Sequence, residues 1–192
     1  MKIMLDFFAG LHGASRAFLK DEDWQVISID NNIDLENITH QVDIFDFYLS
    51  EEFQELKKLD IDLIWCSPPC IEFYKVLRPY FPEHFGTDPN MDLVELSIQI
   101  IDELNPKTWV IENTKSGVKF IEPILGKYRQ CHGPFFLWGN FPRFEADVDP
   151  GYKAKNDKRC DKLRSNIKAK IPYTISIGLK NAIENQKTLT FL

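Results

Sequence analysis

The sequence predicts an α/β protein built on one doubly wound sheet, mostly parallel with an antiparallel edge. Three observations carry this expectation. Short apolar runs alternate with helical patterns over the first 126 residues, the pattern of a parallel sheet covered on both faces. Acids and small polar residues stand where those runs end, at Asp30, Asp43, Ser67 and Glu112. Beyond residue 126 the alternation stops, and two short apolar runs lie close together as an edge pair.

Residues 3–8 (IMLDFF) read as a buried strand, followed by Ala9-Gly10-Leu11-His12-Gly13 and a helix through Phe18. Residues 25–29 form the second strand, which delivers Asp30, and residues 42–44 a short third strand around Asp43. Residues 51–58 fit a helix. Residues 61–66 are the fourth strand, running into Ser67-Pro68-Pro69-Cys70. Proline has no N–H to give a sheet, so the chain leaves the sheet there. Residues 71–90, rich in Pro, Gly and aromatic residues, read as a loop. Residues 92–104 are a helix with Val94, Ile98, Ile101 and Leu104 on one face, stopped by Asn105-Pro106. Residues 108–111 are the fifth strand and present Glu112 and Asn113 at its end. Residues 128–132 and 135–138 are the edge pair, residues 149–170 a polar segment without periodicity, and residues 174–184 the last helix.

Composition narrows the class. Hydrophobic residues are 44% and charged residues 27% of 192, enough to bury a core and too apolar for a disordered chain. No apolar run reaches the roughly 18–20 residues that span a bilayer. The N-terminus lacks the basic region and cleavage site of a secretory signal, so a cytoplasmic protein with reduced thiols is expected. The net charge of −6 is unevenly spread. Residues 1–150 hold 13 Lys and Arg against 26 Asp and Glu, whereas residues 151–192 hold 10 against 3. An acidic body with one basic segment is compatible with a nucleic-acid partner, because phosphate binding follows the local field.

Ligands of open parallel sheets bind at the carboxyl ends of the strands, where strand order switches. The chemistry-bearing residues of this chain all fall at such ends. The first loop carries small residues that let a ligand approach the backbone, although His12 breaks the dinucleotide-binding glycine pattern. Asp30 stands where such folds set an acid against ribose hydroxyls. Asp43 is positioned to accept from an adenine amino group. Cys70, held by two prolines at the ligand end of the sheet, is the candidate nucleophile. Cys66, inside a strand, reads as core. Glu112 ends an apolar strand, where desolvation favours the protonated form and proton donation. Cys66, Cys70, Cys131 and His132 are wrongly spaced for a zinc site, so no metal is expected.

With these residues in view, the sequence resembles the DNA (cytosine-5-)methyltransferase family, in particular its short phage and viral members. Asp6-Phe7-Phe8-Ala9-Gly10-Leu11-His12-Gly13 resembles the cofactor loop, Ser67-Pro68-Pro69-Cys70 the catalytic Pro-Cys motif, and Ile111-Glu112-Asn113-Thr114 the Glu-Asn motif. Residues 171–183 resemble the closing helix that covers the cofactor site. The resemblance implies a class I S-adenosylmethionine-dependent, Rossmann-like fold and a single methyltransferase domain over residues 1–192. It implies Cys70, Glu112 and Asn113 as catalytic residues. It also implies S-adenosylmethionine as cofactor, held by Asp6, Phe8, Ala9, Gly10, Gly13, Asp30, Asn31, Asp43, Ile44 and Pro68. The substrate implied is DNA with a flipped cytosine. Pro69 would meet it, together with Lys153, Lys155, Lys158 and Arg159 of the basic loop at 149–170 that stands in place of a target-recognition domain.

The sequence departs from the family at three places. Pro-Cys is followed by Ile71-Glu72-Phe73-Tyr74, and Glu72 brings negative charge near the thiol. The paired arginines of the family are missing around Cys131–Trp138, leaving Arg129 as the nearest substitute. Only 28 residues separate Pro142 from Ile171, which implies a short or relaxed target sequence. Two alternatives stay open: an impaired relative that binds cofactor or DNA, and a pyrimidine-C5 methyltransferase acting on RNA or a nucleotide.

Overall fold

The computed structural model describes residues 1–149, 152 and 162–186. Its seven strands are β1 (Lys2–Phe7), β2 (Trp24–Asp30), β3 (His40–Gln41), β4 (Leu63–Cys66), β5 (Thr108–Asn113), β6 (Gln130–His132) and β7 (Phe135–Asn140). They form one sheet in the order β3-β2-β1-β4-β5-β7-β6. The pairs β1–β2, β2–β3, β1–β4 and β4–β5 are parallel. β7 runs antiparallel to β5 and to β6. The expected sheet class and its antiparallel edge are therefore present. Strand order reverses between β1 and β4, so the loops after Phe7 and Cys66 open on the same crevice.

The helices are α1 (Ile44–Tyr48), α2 (Glu51–Leu56), α3 (Ile71–Val76), α4 (Asp92–Leu104), α5 (Lys115–Leu125), α6 (Arg164–Ala169) and α7 (Tyr173–Glu184). Alternation along each strand sends side chains to two separate cores. Leu5, Phe7, Ile64, Cys66 and Ile111 join residues of α1, α2, α4 and α5 on one face. Met4, Leu63, Trp65 and Val110 pack with Phe18, Ile175 and Leu179 on the other. Cys66 is fully buried, as core.

The local structure corrects the sequence reading at four places. The residues around Asp43 are not a strand. β3 ends at Gln41, and Asp43 is the N-cap of α1, its Oδ1 accepting from Phe45 N at 2.9 Å; a short acid in extended backbone caps a helix well. Residues 10–20 run as successive turns, not as a regular helix. Positive φ at Phe8, Gly10 and His12 keeps the start of this stretch out of helical geometry. The loop expected at 71–90 begins with α3, which burial of Phe73 and Val76 pins to the core. In the segment 149–170, α6 forms over residues 164–169.

Candidate active site

All fourteen expected site residues outside the basic loop line one cavity of about 800 Å³ at the carboxyl ends of the strands. β1 contributes Asp6, and the turns after it contribute Phe8, Ala9, Gly10 and Gly13. Asp30 and Asn31 come from the end of β2, and Asp43 and Ile44 from the start of α1. Pro68, Pro69 and Cys70 follow β4, while Glu112 and Asn113 close β5. Lys153, Lys155, Lys158 and Arg159 lie outside the described residues.

The first loop is held by the second strand. Gly10 N donates to Asp30 Oδ2 at 2.9 Å, and Asn32 N donates to Asp30 Oδ1 at 3.0 Å. Gly13 is pressed against the segment that enters α7: a Cβ there would fall 2.4 Å from Ile171 N, so this position admits only glycine. Below the loop, Asp6 is buried and accepts from Ser15 Oγ at 2.5 Å. Burial pushes its carboxyl up from 3.8 to about 7; the Asp30 charge adds to the rise and the Ser15 bond opposes it.

The second half of the cavity is built on the two motifs after β4 and β5. Pro68 is buried and Pro69 exposed, and Cys70 is half-buried at the N-cap of α3. Asn113 is buried and joins the two motifs: its Nδ2 donates to Pro68 O at 3.0 Å and its Oδ1 accepts from Thr114 N at 2.8 Å. Glu112 is buried, 6% exposed, on the opposite side of the strand from Asn113. Glu72 is paired with Lys75 at 2.9 Å, so a cation offsets its charge beside the thiol.

Arg129 does not take the place of the missing arginines. Its guanidinium lies over the Phe141 ring, 5.6 Å from the centroid, and it is not part of the cavity wall. Among the described residues, the cations that do line the wall are Arg78, Lys115 and Lys170. Sequence reasoning missed all three in this role. For Arg78 a signal existed: Cys70, Tyr74 and Arg78 repeat every four residues, one face of a helix. The α6 residues Ser165, Asn166 and Ala169 also line the cavity, and Asn32 Nδ2 donates to Asn166 Oδ1 at 3.2 Å. This part of the basic segment therefore walls the loop end of the cavity. Among the described residues, no three His, Cys, Asp or Glu side chains gather into a metal-holding group. No described helix is long and apolar enough to cross a membrane.

The chain is 26% identical over 123 residues to a probable DNA (cytosine-5)-methyltransferase of Frog virus 3 (isolate Goorha). The chain is a relative of the DNA (cytosine-5)-methyltransferase family. The match covers 59% of this chain and 54% of the viral protein, so the chain spans about half the length of that relative. No protein-family model matches the chain. The seven-stranded, mostly parallel sheet with its antiparallel edge is consistent with a Rossmann-like methyltransferase fold.

Proposed function

We propose that the protein methylates C5 of cytosine in DNA, with S-adenosylmethionine as methyl donor and Cys70 as covalent nucleophile. The observation that carries this reading is the meeting of Cys70, Glu112 and Asn113 in one cavity with the loop residues of β1 and β2. The similarity to the viral methyltransferase supports it independently.

The cavity wall suits the donor. Phe8, half-buried with φ of 60°, offers an apolar ring to a flat base, and Asp30 and Asp43 offer carboxylates to hydroxyl and amino groups. Gly10 and Gly13 keep the backbone open on that side. Asp6, Ala9, Asn31, Ile44 and Pro68 would complete the binding surface. When bound, S-adenosylmethionine supplies an electrophilic methyl group on its sulfonium.

The chain's own residues prepare the ring that accepts it. A cytosine leaves its duplex to enter the cavity beside Cys70. The Cys70 thiolate adds to C6, forming an S–C6 bond. Glu112, as the neutral acid, hydrogen-bonds N3 and gives it a proton as charge develops there, which makes C5 the nucleophilic carbon. After methylation a base removes the C5 proton, the C5–C6 double bond re-forms as Cys70 departs with its electron pair, and N3 returns its proton to Glu112. Asn113, through Pro68, holds the loop that carries the thiol. Exposed Pro69 meets the DNA, along with Lys153, Lys155, Lys158 and Arg159 of the basic segment. Residues 1–192 then act as one methyltransferase domain, with residues 149–170 doing the work of a target-recognition domain.

The test is transfer of tritiated methyl groups to duplex DNA, together with trapping on DNA containing 5-fluorocytosine. Wild-type protein is expected to incorporate label and to form an adduct on Cys70, and Cys70→Ala to do neither. Equal incorporation by both proteins would remove Cys70 from the mechanism. Arg129's position favours a second reading, a relative that binds cofactor or DNA without turnover. Binding of DNA without label or adduct would select it.

A further inference from the structure

Some of the described cations have a carboxylate partner. Lys75 pairs with Glu72 at 2.9 Å, Lys107 with Asp60 at 2.6 Å and Asp62 at 2.9 Å, and Lys180 with Asp21 at 2.6 Å and Glu184 at 2.8 Å. Arg78 and Lys115 are among those that have none, and their place in the cavity wall sets them apart from most of the others. Both are exposed, both line the cavity, and among the described residues no carboxylate lies within ion-pairing distance of either.

The two flank the Cys70–Glu112 end from neighbouring elements. Arg78 follows Cys70 by eight residues, and Tyr74 stands between them, its N–H donating to Cys70 O at 3.2 Å. The guanidinium of Arg78 lies over the Tyr74 ring, 4.9 Å from the centroid, and the Tyr74 hydroxyl is bonded to that of Tyr80. Stacking on a ring orients the planar donor fork and reduces the entropy lost when it binds an anion. Lys115 opens α5, two residues after Asn113. α3 and α5 are packed together, with Phe73 stacked on Phe120 at 5.7 Å.

The charge pattern limits the ligand. Asp6, Asp30, Asp43 and Glu112 place carboxyl groups in the cavity wall, while Arg78 and Lys115 stand at its exposed rim. A ligand suited to this pattern puts an uncharged group inside and anions outside, on two sides. A nucleotide turned out of a strand has that shape, with a neutral ring and a phosphate on either side. We propose that Arg78 and Lys115 hold the two phosphates flanking the nucleotide whose base enters the cavity. The inference rests on DNA being the substrate, and it assigns the grip to the rim of the site.

The test uses the full chain and fluorescence anisotropy over a series of NaCl concentrations. The probe is a short duplex with one mismatched cytosine, which lowers the cost of flipping. A second duplex carries uncharged methylphosphonates at the two flanking positions. Arg78→Ala and Lys115→Ala are each expected to reduce the steepness of log K against log salt by about 0.9. Arg78→Lys keeps the charge and is expected to keep the slope. On the methylphosphonate duplex, Arg78→Ala and Lys115→Ala are expected to bind like wild type. Unchanged slopes for both alanine variants, or equal losses on both duplexes, would overturn the proposal. Adduct formation by wild type on 5-fluorocytosine DNA is scored separately. Altered slopes without an adduct would leave the phosphate grip standing and remove methyl transfer; an adduct with unchanged slopes would do the reverse.

Discussion

The side-chain amide of Asn113, at the end of β5, donates to the main-chain oxygen of Pro68, two residues before Cys70, at 3.0 Å. Through this bond the strand that carries Glu112 fixes the loop that carries the thiol. Gly117 leaves room for it, since a Cβ there would fall 2.8 Å from Asn113 Oδ1.

Asn113→Ala removes the donor to Pro68 O, in a buried setting, and the acceptor for Thr114 N, in a partly buried one. The expected loss of stability is about 1–3 kcal/mol, the cost of leaving buried polar groups unsatisfied. Urea unfolding measures that loss. Trapping on 5-fluorocytosine DNA is expected to slow in the same variant while cofactor affinity holds.

Asp6 makes stability fall as pH rises. Its folded carboxyl titrates at about 7 and its unfolded one near 3.8. Between these values the folded state keeps a proton that the unfolded state has lost. Stability therefore declines across that window by about 1.4 kcal/mol per pH unit, and the loss is complete above about 7. Asp6→Asn is expected to flatten this decline. Urea midpoints of both proteins at pH 5 and pH 8 check it: the gap between them should widen at pH 8 in favour of the variant.

Ser176, fully buried on α7, donates to Ala14 O at 2.5 Å and accepts from Ala17 N at 3.0 Å. It ties the last helix to the turns that follow the first loop. Ser176→Ala is expected to cost about 1–3 kcal/mol, because both backbone groups lose their partner. Calorimetric titration with S-adenosylmethionine is expected to show weaker binding, since the turns adjoin Gly13 and the cavity wall.

The thiols are expected to separate by accessibility. Cys66 is fully buried, and burial pushes its thiol well above the usual range. Cys70 is half-buried and Cys131 exposed. Iodoacetamide at pH 8 should label Cys70 and Cys131 in the native protein and Cys66 only after unfolding, as read by peptide mass mapping. Rapid native labelling of Cys66 would contradict the burial.

Strands and their ends were the readable part of this chain. A fully buried parallel strand leaves an unbroken apolar run, and the polar residue that ends it marks the ligand edge; Asp30, Cys70 and Glu112 were all found this way. Of the short helices, α2 was readable and three were not. α1, α3 and α6 have five or six residues each, below the length at which local propensity sustains a helix. They form because the sheet gives α1 and α3 a surface to pack on and because α6 is held at the cavity by Asn32. Asp43 shows the consequence: an acid assigned to a strand end is a helix cap, yet it still reaches the cavity.

By itself, the sequence determined the α/β class, the residues at the strand ends and the two motifs that meet at Cys70 and Glu112, since each is a local pattern of apolar runs and breakers. Only the tertiary structure decided which cations face the cavity. Arg129 leaves it for Phe141, Lys75 cancels Glu72, and Arg78, Lys115 and Lys170 take up the wall. Side-chain partners depend on packing between elements far apart in the chain, and no local pattern records that packing.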